Sequence, residues 1–84
     1  MQYVYILQSK KDLDLYIGCT GDIKSRLILH NKKKVESTKS RTPLILIHYE
    51  AYLDPEDAFM REKYLKTQWG RKFINKNLSN FFNR

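Results

Sequence analysis

Eighty-four residues, 42% hydrophobic and 13% aromatic, suffice for one modest core, which excludes a disordered chain but leaves little stability to spare for an unpaired buried charge. No run approaches the ~18 apolar residues of a membrane helix, and the N-terminus lacks a basic-then-apolar leader. A cytoplasmic location is therefore expected, and the single cysteine, Cys19, fits a reducing compartment. The net charge of +7 is concentrated in two blocks, seven basic residues from Lys24 to Arg41 and seven from Arg61 to Arg84, while Pro43 to Met60 carries four acids and no base. Two basic blocks on so small a chain point to a polyanion partner, nucleic acid first, against the alternative of a merely solvated basic surface.

The chain opens on a β-branched and aromatic run, Tyr3 to Ser9, which predicts a strand. Tyr3, Tyr5 and Leu7 point one way and Val4 and Ile6 the other; two apolar faces predict an interior position. A polar turn leads to a second short strand, Leu15 to Gly18, forming a hairpin. With an even loop, Tyr5 can lie directly opposite Tyr16. Asp22 is a good N-cap for a helix from Ile23, whose inner stripe is Ile23, Leu27 and His30 with Arg26 on its border. A polar, basic loop follows to Pro43, then a third strand over Leu44 to Tyr52. Asp54, Pro55 and the acids after them open a helix predicted to end near Thr67 or Trp69. Gly70 is expected to break the chain before a final basic helix. Trp69 and Phe73 are expected in the core, with Phe81 and Phe82 free for a partner. The fold class is α/β (α+β), a small three-stranded antiparallel sheet flanked by helices.

Five polar side chains aim at the interior or its border: Tyr5, Tyr16, Arg26, His30 and Glu62. Each has an ordinary explanation. A strand tyrosine is usually a packed ring with its hydroxyl bonded, a border arginine snorkels, a lone histidine fills a core, and Glu62 can pair with Lys66 one turn on. Together they match what phosphodiester hydrolysis needs: a carboxylate for a divalent cation, a group to move the proton of water, and a cation to offset transition-state charge. Glu62 could hold Mg²⁺ or Mn²⁺, Arg26 could neutralise phosphate, and Tyr5, Tyr16 or His30 could handle the proton, a tyrosine doing so only with its pKa lowered.

The ordered set of Tyr-Val-Tyr-Ile-Leu, then Leu-Tyr-Ile-Gly-Cys-Thr, an arginine ten residues after Tyr16, and the glutamate of Ala-Phe-Met-Arg-Glu-Lys-Tyr-Leu-Lys resembles the GIY-YIG nucleases. It is similar to small stand-alone members related to the nuclease domain of UvrC-type excision-repair proteins, and spans Tyr3 to about Asn77. The resemblance implies one GIY-YIG domain over residues 1–84, with Tyr5 and Tyr16 as motif tyrosines, Arg26 steadying phosphate, His30 as the histidine of small members, and Glu62 as ligand of one divalent metal. It implies that these residues share a face of the sheet. It also implies a metal-dependent endonuclease on DNA, RNA being the less favoured substrate, with a role in repair or recombination.

Two departures stand out. Tyr3-Val4 replaces Gly-Ile, and Cys19 stands where excision-repair members carry lysine. The family's late asparagine falls on either Asn75 or Asn77. Lys32, Lys33, Lys34, Lys39, Arg41, Arg71 and Lys72 are expected to contact the nucleic-acid backbone, which positions a duplex without reading its sequence, so recognition should follow DNA structure. A protein partner or self-association is left open. The alternative reading is a non-catalytic nucleic-acid-binding module that keeps the fold; a structural RNA-bound protein comes third.

Overall fold

The computed structural model describes residues 1–84. Its elements are β1 (Gln2–Ser9), β2 (Leu15–Thr20), α1 (Ile23–Asn31), β3 (Leu44–Tyr52), α2 (Pro55–Leu65), α3 (Gln68–Asn77) and α4 (Ser79–Phe82). The sheet has the order β2-β1-β3 and both pairs are antiparallel. The doubly apolar β1 is central, as its composition requires.

The alternation along β1 divides the core into two layers. Val4 and Ile6 join Ile17, Ala58, Leu65 and Ile74 beneath α2 and α3. Tyr5 and Leu7 join Leu44 on the other face, where Ile23 and Leu27 of α1 cover them. A bulge at Ile47 interrupts β3, since Ile6 pairs with His48 but Leu7 with Leu46. That extra residue sends Leu44 and Leu46 to the α1 layer and Ile47 to the α2 layer.

The hairpin corrects one expectation. Four residues lie inside the Ser9–Asp14 bond, so the loop is even and Tyr5 and Tyr16 share a face. The register is nevertheless displaced by two, so Tyr5 faces Gly18 and Tyr16 faces Leu7. The Ser9 hydroxyl stabilises the longer loop: it accepts from the amides of Lys11 and Asp12 (3.1 and 3.3 Å) and donates to the Arg41 carbonyl (2.6 Å). Local polar bonding of this kind competes with the hydrophobic pattern for the register and is invisible in the pattern.

Helices α1 and α2 begin as predicted, α3 begins earlier than expected, and the ends differ. Asp22 caps α1 and Asp54 caps α2 through their carboxylates. At the far end of α1, Asn31 clasps the first residue of β3, its Oδ1 accepting from the Leu44 amide (2.8 Å) and its Nδ2 donating to the Leu44 carbonyl (3.0 Å). Helix α2 stops at Leu65, because Thr67 turns the chain. Its hydroxyl donates to the Tyr64 carbonyl (2.6 Å) and accepts from the Gly70 amide (3.1 Å), capping α3. Trp69 thus falls on α3 and is 68% exposed, not in the core, whereas Phe73 packs against the core as expected. Gly70 lies inside α3 and breaks nothing. It is where α3 touches α2: a Cβ there would sit 2.2 Å from the Tyr64 carbonyl oxygen and 2.4 Å from Leu65 Cα. The last basic segment is two helices hinged at Leu78, and Phe82 packs on the core where a partner contact was expected.

Candidate active site

The Tyr5 side chain points into the α1 layer over a strand position that offers it room. Gly18, its pairing partner, has no side chain, and a Cβ there would lie 2.4 Å from the Tyr5 hydroxyl and 2.5 Å from its Cζ. The glycine of Tyr-Ile-Gly is therefore the bed of the phenol. From this bed the hydroxyl meets His30 Nε2 at 3.0 Å, and His30 Nδ1 meets the Thr38 hydroxyl at 2.7 Å. Tyr5 is 3% exposed, and His30 and Thr38 are fully buried. Tyr16, half-exposed on the same face, sets its ring edge-on to His30 at 5.0 Å and tilted toward Tyr5 at 6.3 Å.

Helix α1 supplies the histidine because Ile23, Leu27 and His30 repeat at three- and four-residue steps on its inner side. Arg26, one turn before His30, is half-buried on the flank toward the tyrosines. Burial, and then the Arg26 charge, push the His30 pKa down, so the imidazole is neutral at pH 7. Tyr5 shifts the opposite way to a ready base: burial raises its pKa first, the Tyr16 phenol adds to this, Arg26 opposes, and the Glu62 carboxylate and Cys19 thiol raise it further. The Tyr5 proton is held firmly.

Tyr5, Tyr16, Arg26 and His30 share the α1 face, whereas Glu62 is carried by α2, whose buried Ala58 and Leu65 pack on the opposite face of the sheet. Its carboxylate nevertheless lies near enough to Tyr5 for its charge to add to the burial-driven rise in that phenol's pKa. Its effect on Tyr5 is electrostatic, without a hydrogen bond to any of the four. Its side chain is 22% exposed beside a groove of about 360 Å³ lined by Phe59, Met60, Lys63 and Lys66, and its Oε2 accepts from Lys66 Nζ at 2.9 Å. Glu62, expected to aim at the interior or its border, lies half-buried on α2 between the buried Ala58 and Leu65. A half-buried single carboxylate suits a hard cation that keeps most of its waters and shares a substrate phosphate. No cluster of three His, Cys, Asp or Glu side chains forms an all-protein cage.

The basic residues divide. Lys32, Lys33 and Lys34 are exposed at the end of α1, and Arg71 and Lys72 are exposed on α3, where Lys72 Nζ lies 4.8 Å from the centre of the Trp69 ring. Lys39 is exposed and pairs with Glu36 at 3.1 Å. Arg41 is committed within the fold, to Asp12 at 3.3 Å and the Leu15 carbonyl at 3.4 Å. Asn75 and Asn77 are both exposed late in α3, without side-chain hydrogen bonds. Cys19 points toward the α2 layer and accepts weakly from Gln2 Nε2 at 3.5 Å.

Two features escaped the sequence reading. Thr38, in the polar loop, carried no periodic signal, and only the fold brings it to His30. Arg61 reads as a solvent-side residue, yet it grips Glu50 through Nε and one terminal nitrogen (2.8 and 3.1 Å) and lies 4.4 Å from the centre of the Phe73 ring.

A family model described as the GIY-YIG catalytic domain matches residues 1–77. This chain belongs to the GIY-YIG family. Its relatives include UPF0213 proteins of Staphylococcus haemolyticus, 38% identical over 66 residues (77% of this chain and 79% of the relative), and of Clostridium perfringens, 37% identical over 67 residues (79% and 71%). The fold is that of a UPF0213 protein from Bacillus halodurans solved by solution NMR, with a TM-score of 0.56 and 30% identity, covering 90% of this chain and 84% of that one. This GIY-YIG chain therefore has the three-stranded antiparallel sheet and flanking helices expected of it. No helix is long and apolar enough to cross a membrane.

Proposed function

We propose that this chain is a metal-dependent endonuclease that hydrolyses DNA phosphodiester bonds and selects its substrate by structure more than by sequence. The observation that carries the reading is the buried chain from Thr38 through His30 to Tyr5, placed beside Arg26 and the half-exposed Tyr16. A merely structural histidine needs its nitrogens satisfied; it does not need a cation one turn away and two phenols on one side.

In this reading Arg26 holds a phosphate oxygen and offsets charge as the transition state forms. His30 is a neutral acceptor. With Nδ1–H donated to Thr38, its Nε2 accepts the Tyr5 hydroxyl, and the buried ring can take up a proton passed inward through Tyr5. Tyr16 is the phenol open to solvent and stands nearest to an incoming water. Mg²⁺ or Mn²⁺ at Glu62 would polarise the phosphate and acidify water. Lys66 must release Glu62 for this, and the i,i+4 pair it gives up is an exposed one of a few tenths of a kcal/mol.

That same Lys66–Glu62 pair is what favours the second reading, a non-catalytic nucleic-acid-binding module. Cleavage of nicked, branched, single-stranded and duplex DNA with Mg²⁺ or Mn²⁺, an EDTA control and Glu62→Ala decides between them. Metal-dependent cutting that Glu62→Ala abolishes while binding persists is the expected result. Absence of cutting on every substrate, with salt-sensitive binding intact in both proteins, would leave the binding module.

A further inference from the structure

The largest concavity of the molecule is not at the tyrosine–histidine cluster. It is a groove of about 560 Å³ between α1 and the sheet, lined among others by Tyr3, Tyr49, Leu27, Leu46 and Lys24. Tyr49 is 55% exposed and meets Tyr3 edge-to-face, with ring centres 6.1 Å apart. Tyr3 is two residues from Tyr5 on the same face, and Tyr49 is the direct cross-strand partner of Tyr5. The groove and the cluster thus lie on one face, divided by α1. On the helical wheel Arg26 and Lys24 fall on opposite flanks of the Ile23–Leu27–His30 stripe, so the two sites are about one helix diameter apart, ~10 Å.

We propose that this groove is a subsite for an unpaired nucleobase, so that the substrate is DNA with a single-stranded arm leaving the cut site around α1. This rests on the reading of the chain as one that acts on nucleic acid. An exposed tyrosine face above an apolar floor of Leu27 and Leu46 suits the π-face of any base, without sequence preference. Lys24 at the rim suits the following phosphate. The one acid at the rim, Asp22, has both oxygens engaged by Ser25, on its amide at 3.0 Å and its hydroxyl at 2.9 Å, and is committed to capping α1. On a chain of charge +7, phosphate is the natural companion of such a surface. Duplex DNA keeps its bases stacked and cannot fill the groove.

The test is binding in EDTA, so that it does not depend on cleavage. Fluorescence anisotropy would compare a single-stranded oligonucleotide with a blunt duplex at one fixed salt concentration, for the wild type, Tyr49→Ala and Tyr49→Phe. Thermal melting would check that each variant folds. Tyr49→Ala is expected to weaken single-strand binding by about tenfold, in the range of one lost base–aromatic stack. Duplex binding should stay within about twofold by the same reasoning, and Tyr49→Phe should restore the single-strand affinity. An equal loss on both DNAs, or no loss on either, overturns the subsite; the second outcome would leave the groove to an apolar peptide. If the wild type fails to cut DNA but Tyr49→Ala shows the selective loss, the subsite stands and only the nuclease reading falls.

Discussion

At the scale of single residues, the site is governed by which polar groups the fold refuses to leave in water. His30 is fully buried, and both its nitrogens have partners. Its pKa is pushed down by burial, then by Arg26, so the unfolded chain binds the proton more readily. The stability this contributes is full above the ordinary histidine value near ~6.5 and is lost as pH falls below it toward the lower folded pKa. Urea unfolding across pH 7 to 5 should show that loss, and His30→Gln should flatten it. Thr38→Val leaves Nδ1 without its partner and should cost about 1–3 kcal/mol, measured in the same titration. If His30 accepts the proton, Thr38→Val should also displace the pH profile of cleavage, which a purely structural threonine would not do. His30 was legible in the sequence because it falls on the helical stripe with Ile23 and Leu27. Thr38 was not, since a loop residue has no period and its partner lies eight positions away.

At the scale of elements, the glycines and the strained turn carry the clearest expectations. Gly70→Ala would drive a methyl into the backbone at Tyr64 and Leu65, where neither helix can yield cheaply. A loss of at least ~3 kcal/mol is expected by chemical denaturation, the scale of overpacking in a closed core. Gly18→Ala acts differently: its methyl meets the Tyr5 ring and hydroxyl, so the phenol must leave His30. Cleavage should fall further than stability does, which paired activity and melting measurements would show. Leu13 holds φ at 63° with its side chain 67% exposed. Leu13→Gly should therefore stabilise the hairpin by up to ~1 kcal/mol, as a left-handed conformation is relieved at the expense of unfolded-state entropy. The starts of α1 and α2 were legible because Asp22, Asp54 and Pro55 act on their own nearest turns. The end of α2 was not, because the decision between continuing and turning lay with the Thr67 hydroxyl and with the close α2–α3 contact that Gly70 permits.

At the scale of the whole molecule, one ion-pair network ties the sheet to the second layer of helices. Burial alone would raise the Glu50 pKa, but hydrogen bonds from Arg61, Tyr52 and His48 bring it from 4.5 down to about 2. The stability held there is present above pH ~4.5 and lost as pH falls toward the folded value. Acid unfolding should steepen in that window, and Glu50→Gln should remove the steepening. Glu50→Ala leaves Arg61 half-buried and unpaired, so Arg61→Leu on top of it should recover a good part of the loss in a double-mutant cycle. Arg61 is thus committed to Glu50 within the fold, and Arg41 bridges to Asp12 at 3.3 Å. The sequence by itself determined the three strands, the starts of α1 and α2, the central place of β1, and the inward aim of Tyr5, Tyr16 and His30, and its ordered motifs carried the resemblance to the family. The strands, the helix starts and the inward aims follow from local patterns along the chain, which fix direction relative to a strand or helix. Only the tertiary structure decided that Tyr5 faces Gly18, that Thr38 closes the hydrogen-bonded chain on His30, and that α2, the helix carrying Glu62, packs on the face of the sheet opposite α1. It also decided that Trp69 is left in solvent and that an aromatic groove opens beyond α1. Those outcomes depend on the register of a hairpin and the docking angle of helices, which are set by contacts between residues distant in sequence and leave no periodic trace in it.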